Sequence, residues 1–290
     1  MGIQLDSTRW SYKMRTIEFL NTVVDGAGAL GSIPFDPFLA ALASLKTTDG
    51  KTLVSHWINP EPEMAIVETS RFRLRDAANA TMLETHRTSD IAPLPSKTNN
   101  INGKPTYTVG VDNANALRNV TGGGGLTGIN KERWSLLAVC QLEATNGEAL
   151  NDQRVFGIGT GSLGADILWP VLEVSGGTAI NVREGGTTTR RVTGDFTGLT
   201  GSPVLVGGAF SIEQGVAVFK NNMEGLARNA SDKRPLTQTD SAFMGDRFVS
   251  NPAIGDFGMA LILRDDITKP EYSAAREVIL GGLMNRYGIT

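Results

Sequence analysis

The chain has 290 residues, of which 40% are hydrophobic and 20% charged, and its formal net charge is −3. That composition supports one large domain with a buried core plus an accessory segment, and it excludes global disorder. The slightly acidic balance also speaks against a partner held mainly through a nucleic-acid backbone, which would call for a basic face.

Glycine accounts for 34 residues without a collagen period, which points to short strands joined by tight turns. The single cysteine, Cys140, lies in the apolar run 134–142, so no intrachain disulfide can form and a buried, inert thiol is expected. No run approaches the ~20 apolar residues of a membrane span. The N-terminus lacks the basic start and apolar stretch of a signal peptide, so synthesis in the cytoplasm without membrane insertion is expected.

In chain order, residues 7–25 read as an amphipathic helix. Ser7 can cap it, Trp10, Met14, Ile17 and Val24 recur at three-four spacing, and Gly26 and Gly28 supply a stop. A second helix follows, with Asp36 as N-cap and Pro37 in the first helical position. Residues 38–45 are apolar nearly all round, so this helix must be buried, either on its own domain or on another subunit. Trp10, Met14, Ile17, Phe38 and Leu42 are therefore the candidate partner-docking residues of a helical arm over 1–48.

The turn Thr48-Asp49-Gly50 opens a second region, with strands expected at 54–58 and 64–74. Arg71, Arg73 and Arg75 alternate and would share one strand face, where a solvated surface outweighs a nucleic-acid patch. Pro60, Pro62, Pro93 and Pro95 mark loops. From residue 104 the pattern becomes regular, with strands at 106–111, 135–142, 154–158, 167–174, 179–183, 190–192, 204–210 and 216–220, separated by glycine-rich turns. Many short strands at close spacing predict an all-β sandwich, and no internal repeat suggests a propeller. A last strand at 255–264 leads into a C-terminal helix. Thr268 should cap it, Pro270 sits in its first turn and Glu271 completes a capping box. Tyr272, Ala275, Ile279 and Leu283 form its core stripe, and Gly288 ends it. Gly281-Gly282 weakens the middle of that helix by about 1 kcal/mol per glycine, which suggests a close backbone contact there.

Residues that could carry chemistry are sparse. No Glu stands two places before an Asp, the arrangement that puts paired carboxylates on one strand face in sandwich glycosidases. Glu143 and Glu148 could approach across Asn146-Gly147, but a chance surface pair is the favoured reading. His56 and His86 are too few for a zinc site, no nucleophile elbow accompanies them, and His56 beside Trp57 reads as packing. Gly26-Ala27-Gly28-Ala29-Leu30-Gly31 and Gly159-Thr160-Gly161-Ser162-Leu163-Gly164 match a dinucleotide fingerprint in spacing only, because neither opens a helix. Calcium is the one metal with a candidate site, at Asp112, Asn113 and Asn115; turn-forming Asx residues explain these equally well, and no other cofactor is expected.

Several segments carry a resemblance. They are Ile101-Asn102-Gly103-Lys104-Pro105 with the strand that follows to Asp112, the core strand at 134–139, Val155-Phe156-Gly157-Ile158-Gly159, and the strand and turn at 216–224. The final strand, capped helix and Arg286-Tyr287-Gly288-Ile289 ending complete the set. Together they resemble the concanavalin-A-like (laminin-G-like) jelly-roll domains common in phage and bacterial surface proteins, over about 100–290 and more faintly 49–59. Asn221-Asn222 departs from the usual Asn-Gly turn.

The resemblance implies an all-β, concanavalin-A-like antiparallel β-sandwich over 49–290 with a C-terminal helix; residues 1–48 lie outside it and are read from their apolar spacing as an N-terminal helical arm. With the lack of a recognisable carboxylate pair and the apolar N-terminal helix, it points to a non-enzymatic bacteriophage virion structural protein, such as a decoration, collar, fibre or baseplate component. The arm would dock on other virion proteins, the chain would form a homo-oligomer, and the lectin-like domain could meet a host-surface glycan. The alternative is a carbohydrate-binding module, for which Trp169 and Tyr107 are conceivable stacking residues although their apolar strands favour the core. Third comes a polysaccharide-degrading enzyme with Glu143 and Glu148 as its candidates.

Overall fold

A computed structural model describes residues 36–60, 65–67, 72–75, 82–85, 96–109, 117–119, 128–143, 153–158, 170–184, 189–237, 242–244 and 253–290. The runs rich in Val, Ile and aromatics form antiparallel strands, numbered here along the chain. One sheet has the order β15 (Glu224–Asn229), β14 (Gly215–Lys220), β13 (Val204–Ser211), β8 (Arg133–Leu142), β17 (Gly255–Leu263), β6 (Lys104–Val109) and β5 (Ser96–Ile101). In addition, β1 (Val54–Ile58) pairs with β17. The other sheet runs β12 (Arg190–Asp195), β11 (Ala179–Glu184), β10 (Pro170–Ser175), β9 (Gln153–Ile158), β16 (Ala242–Met244), β7 (Leu117–Asn119), β4 (Met82–Thr85), β3 (Phe72–Arg75) and β2 (Ala65–Val67).

The two sheets form a sandwich. Leu136, Ala138 and Cys140 of β8 and Val206 and Phe210 of β13 meet Phe156, Leu172 and Val182 of the second sheet, all fully buried. Each large apolar side chain so buried stabilises the fold by about 1.5–3 kcal/mol. The first sheet is apolar on its other face as well: Leu137, Val139, Leu205, Ala209, Met259, Leu261 and Leu263 form a second core beneath helices. Two buried faces explain why β8, β13 and β17 read as nearly unbroken apolar runs instead of alternating ones.

Those helices are α1 (Pro37–Ser44) and the C-terminal helical segment 270–287. In α1 the Asp36 carboxylate accepts hydrogen bonds from the backbone N–H of Phe38 (3.0 Å) and Leu39 (3.3 Å), as its N-cap position predicts. Asp36 also pairs with Arg286, which ties α1 to the chain's end. The C-terminal segment is composite: a 3₁₀ turn Pro270–Tyr272, then α2 (Ser273–Arg276), a π turn Glu277–Gly281 and α3 (Gly282–Tyr287). Tyr272, Ile279, Leu283 and Tyr287 are buried, and Gly288 stops the helix in the left-handed conformation at φ 63°. The expected close contact is real for one glycine: a Cβ on Gly282 would lie 2.2 Å from the Phe38 ring, whereas one on Gly281 would meet nothing within 4 Å.

Two expectations are corrected, and the turn left open by Asn221-Asn222 is defined. Thr268 does not cap the C-terminal helix; its hydroxyl and backbone N–H both donate to Asp266 Oδ1, and Lys269 occupies the N-cap without a side-chain bond. A carboxylate two residues upstream is a stronger and nearer acceptor for that hydroxyl, so an Asx-type turn replaces the capping box. The single strand expected at 64–74 is two, β2 and β3, paired as a hairpin. In the turn after β14, the positive φ falls on Asn221 (50°) and Met223 (62°), and the Asn221 amide is buried, accepting from Leu205 N–H at 3.2 Å. The helix expected over 7–25 lies outside the described residues.

Candidate ligand-binding face

With helices over the outer face of the first sheet, the outer face of the second is the other broad strand surface. Along β10, β11 and β12 the side chains alternate. Leu172, Val174, Ile180, Val182 and Val192 enter the core, while Glu173, Ser175, Asn181, Arg183, Thr193 and Asp195 lie on the opposite face. Register then makes neighbours of residues far apart in sequence. Glu173 stands opposite Asn181 on β11 and Arg154 on β9, and Arg183 stands opposite Arg190 on β12.

The Glu173 carboxylate is fully buried. Arg183 Nη1 donates to its Oε2 at 2.8 Å, Asn181 Nδ2 to its Oε1 at 3.4 Å, and Arg190 Nε lies 3.5 Å from the same oxygen. Arg190 Nη2 also donates to Ser175 Oγ at 3.0 Å. A lone ion at this depth would be too costly to keep charged, so the guanidinium donors around it are a condition of its presence. In return, Glu173 fixes the orientation of two arginines. Arg183 is almost as buried, but the Arg190 side chain is 40% exposed and carries this cluster to the surface. Asn181 Oδ1, also buried, finds no hydrogen-bond partner among the described residues.

At the other end of the same strands is an open groove of about 510 Å³ lined by Thr178, Asp195, Phe196, Thr197, Lys220 and Glu224. Asp195 belongs to both the face and the groove. The Phe196 ring forms the groove's apolar wall and is seated over Gly194, where a Cβ would come within 2.6 Å of it. Lys220 Nζ is anchored on the Thr197 carbonyl at 2.8 Å. From the Arg183 row to the Ala179–Asp195 row the face runs four residues, about 13 Å at strand rise.

The sandwich has counterparts among solved structures. A Trypanosoma rangeli sialidase in complex with the inhibitor DANA superposes with TM-score 0.53 at 11% identity, covering 92% of this chain and 38% of that one. Domain 4 of AbnA, a GH43 extracellular arabinanase from Geobacillus stearothermophilus, in complex with arabinotriose, gives 0.52 at 11% identity, covering 77% of this chain and 98% of that one. The binding domain of botulinum neurotoxin serotype G gives 0.51 at 6% identity, covering 78% and 51%. At such identities the likeness is one of fold, and this chain spans well under half the length of the sialidase. No protein-family model matches the chain, and no curated protein does.

Of the residues singled out from sequence, Asp112, Asn113, Asn115, Glu148, His86, Trp169, Trp10, Met14 and Ile17 lie outside the described residues. Phe38 and Leu42, expected on a docking surface, are packed within the chain, Leu42 fully buried and Phe38 against Gly282. Tyr107 is buried and stacks on Phe257 with ring centroids 5.2 Å apart, which leaves no face for a sugar. Glu143 is exposed just beyond β8. Burial pushes the Cys140 thiol up to about 12, so it stays protonated and inert. Burial, with Arg264 adding to it, pushes His56 down to about 3, and its Nδ1 lies 2.6 Å from Ser55 Oγ. That pair is sealed in the core, so no substrate reaches it. Among the described residues no cluster of His, Cys, Asp and Glu could hold a metal. Sequence reading missed Arg154, Glu173, Asn181, Arg183 and Arg190. The available signal was a glutamate inside the otherwise apolar run Val171-Leu172-Glu173-Val174.

Proposed function

We propose that this chain is a glycan-binding module of the concanavalin-A-like sandwich type, with the outer face of β9 to β12 and the adjoining groove as its ligand surface. The observation that carries this reading is the contrast between the two outer faces. One is apolar and covered by helices, whereas the other carries Arg190, Thr193 and Asp195 exposed above the buried Glu173, Asn181 and Arg183 and ends in a groove lined by Phe196. A sugar chain offers many hydroxyls and small apolar ring faces, which such a surface matches with fixed donors, acceptors and Phe196. The arabinanase domain, almost all of which superposes on this chain, is bound to arabinotriose, and that supports the reading. The comparisons add no support for the virion setting expected from sequence, so glycan binding stands first. Binding rather than bond cleavage is assigned, since Glu173 is buried and engaged by arginine.

The test is a glycan-array screen of the purified chain followed by calorimetry on any hit. Thr193→Trp fills the middle of the face from an exposed position and should weaken binding at least about tenfold, a loss of roughly 1.4 kcal/mol. Glu271→Ala, exposed on the helical side, should leave affinity unchanged. Binding that survives Thr193→Trp would move the site elsewhere.

A further inference from the structure

We propose that Asn102 is a self-modification site, where the side-chain amide is lost to the following backbone nitrogen and the closing helix loses one of its ties. Asn102 and Gly103 form the two-residue turn between β5 and β6, with Ile101 and Lys104 paired on either side of it. Their φ values, 50° and 65°, are both positive, as a I′ turn requires, and both residues are exposed. Gly103 has no side chain to shield its nitrogen, a Cβ there would meet nothing within 4 Å, and its N–H donates to no acceptor among the described residues. The Asn102 amide is held by one exposed hydrogen bond, Nδ2 donating to the Arg286 carbonyl at 3.1 Å. A single exposed bond of this kind breaks readily, which frees the side chain to turn towards Gly103.

The reaction needs only water from outside. The Gly103 nitrogen bonds to Asn102 Cγ as its proton is lost, the Cγ–Nδ2 bond breaks, and Nδ2 leaves as ammonia. Water then opens the resulting ring at one of its two carbonyls, giving aspartate or, with an added backbone methylene, isoaspartate. The place of the turn gives the change its consequence. Gly288 ends α3 in the left-handed conformation, and a Cβ on it would lie 3.0 Å from Asn102 Cγ. The Arg286 carbonyl belongs to the last turn of that helix, and the Arg286 guanidinium holds Asp36 at the start of α1. Aspartate at this position cannot donate to the carbonyl and sets a negative charge at the negative end of the helix. Isoaspartate also lengthens the turn and disturbs the β5–β6 register. Asn221 has a positive φ of 50° as well, but it is buried and followed by Asn222, whose side chain shields its nitrogen, so the same loss is not expected there.

Storage of the full chain in warm, mildly alkaline buffer, followed by peptide mapping, tests this. The peptide carrying Asn102 should gain one mass unit and separate into aspartate and isoaspartate forms. Mapping keeps it apart from Asn146-Gly147, which lies outside the described residues. The converted protein, isolated by ion exchange, should melt about 2–4 °C below the native chain. Asn102→Asp should also melt lower, whereas Asn102→Gly, which keeps the turn without the amide, should gain no mass at this position and melt above Asn102→Asp. Failure of the folded chain to convert at Asn102 under conditions that convert a peptide of residues 99–106 would overturn the proposal. So would converted protein that melts together with the native chain.

Discussion

His56 illustrates how a single buried base sets acid sensitivity. The unfolded chain takes up a proton near pH 6.5, whereas the folded chain resists until about pH 3 because burial, with Arg264 nearby, opposes the charge. A depressed folded value means that stability is complete above about 6.5 and drains away as pH falls toward 3, by up to about 1.4 kcal/mol per unit. Asp49, lowered to about 2 by hydrogen bonds from Thr47 and Lys51, keeps its contribution at every pH above about 3.8 and loses it only as pH falls from there toward 2, so it adds no slope in this range. Urea midpoints measured from pH 7.5 to 4.5 should therefore fall steadily in the native chain and flatten in His56→Gln. Asp266 is the other residue on which much depends. Fully buried, it accepts from Ser211 Oγ at 3.0 Å and Thr268 N–H at 2.9 Å, with Arg228 at 3.7 Å. Asp266→Ala should cost about 3 kcal/mol in chemical denaturation, because it strands partly buried donors; a loss under about 1 kcal/mol would show that this corner is held by packing. The cluster around Glu173 was half legible at this scale. Glu173 and Asn181 are brought together by the turn around Gly176-Gly177, a register readable from sequence, but Arg154 and Arg190 arrive from strands whose pairing no local pattern dictates.

Elements were most legible where their environment was simplest. β1 was bounded correctly from sequence, and α1 follows from Asp36 and Pro37, because capping chemistry is local. The Thr268 box failed because Asp266 competes for the same hydroxyl, a tertiary corner that the S/T-x-x-E pattern cannot foresee. The double glycine of the C-terminal helix separates two effects. Gly281 has open space where a methyl would go, so Gly281→Ala should raise stability by about 0.5–1 kcal/mol through helix propensity. Gly282 carries the Phe38 ring, so Gly282→Ala should lower stability by about 1–3 kcal/mol from overpacking. Thermal melts of the two variants should move in opposite directions. Adding Phe38→Leu should recover part of the Gly282→Ala loss and little else.

At the scale of the whole molecule, the sandwich and its closing helix follow from the spacing of apolar runs and glycine turns. The order of strands does not, since it depends on contacts between distant segments. β17 is the clearest case: made last among the strands, it lies between β8 and β6 and also pairs with β1. A chain ended before residue 255 should show no cooperative melt and should collect in the insoluble fraction. Biosynthesis runs in the direction that makes this arrangement awkward. β6 and β8 leave the ribosome with a vacant lane between them, and their hydrogen-bonding edges stay open until the final strand is translated. Anything that slows elongation over the last segment prolongs that exposure. Yield of native protein should then respond to translation speed and chaperone supply while β17 is being made far more than while β1 is.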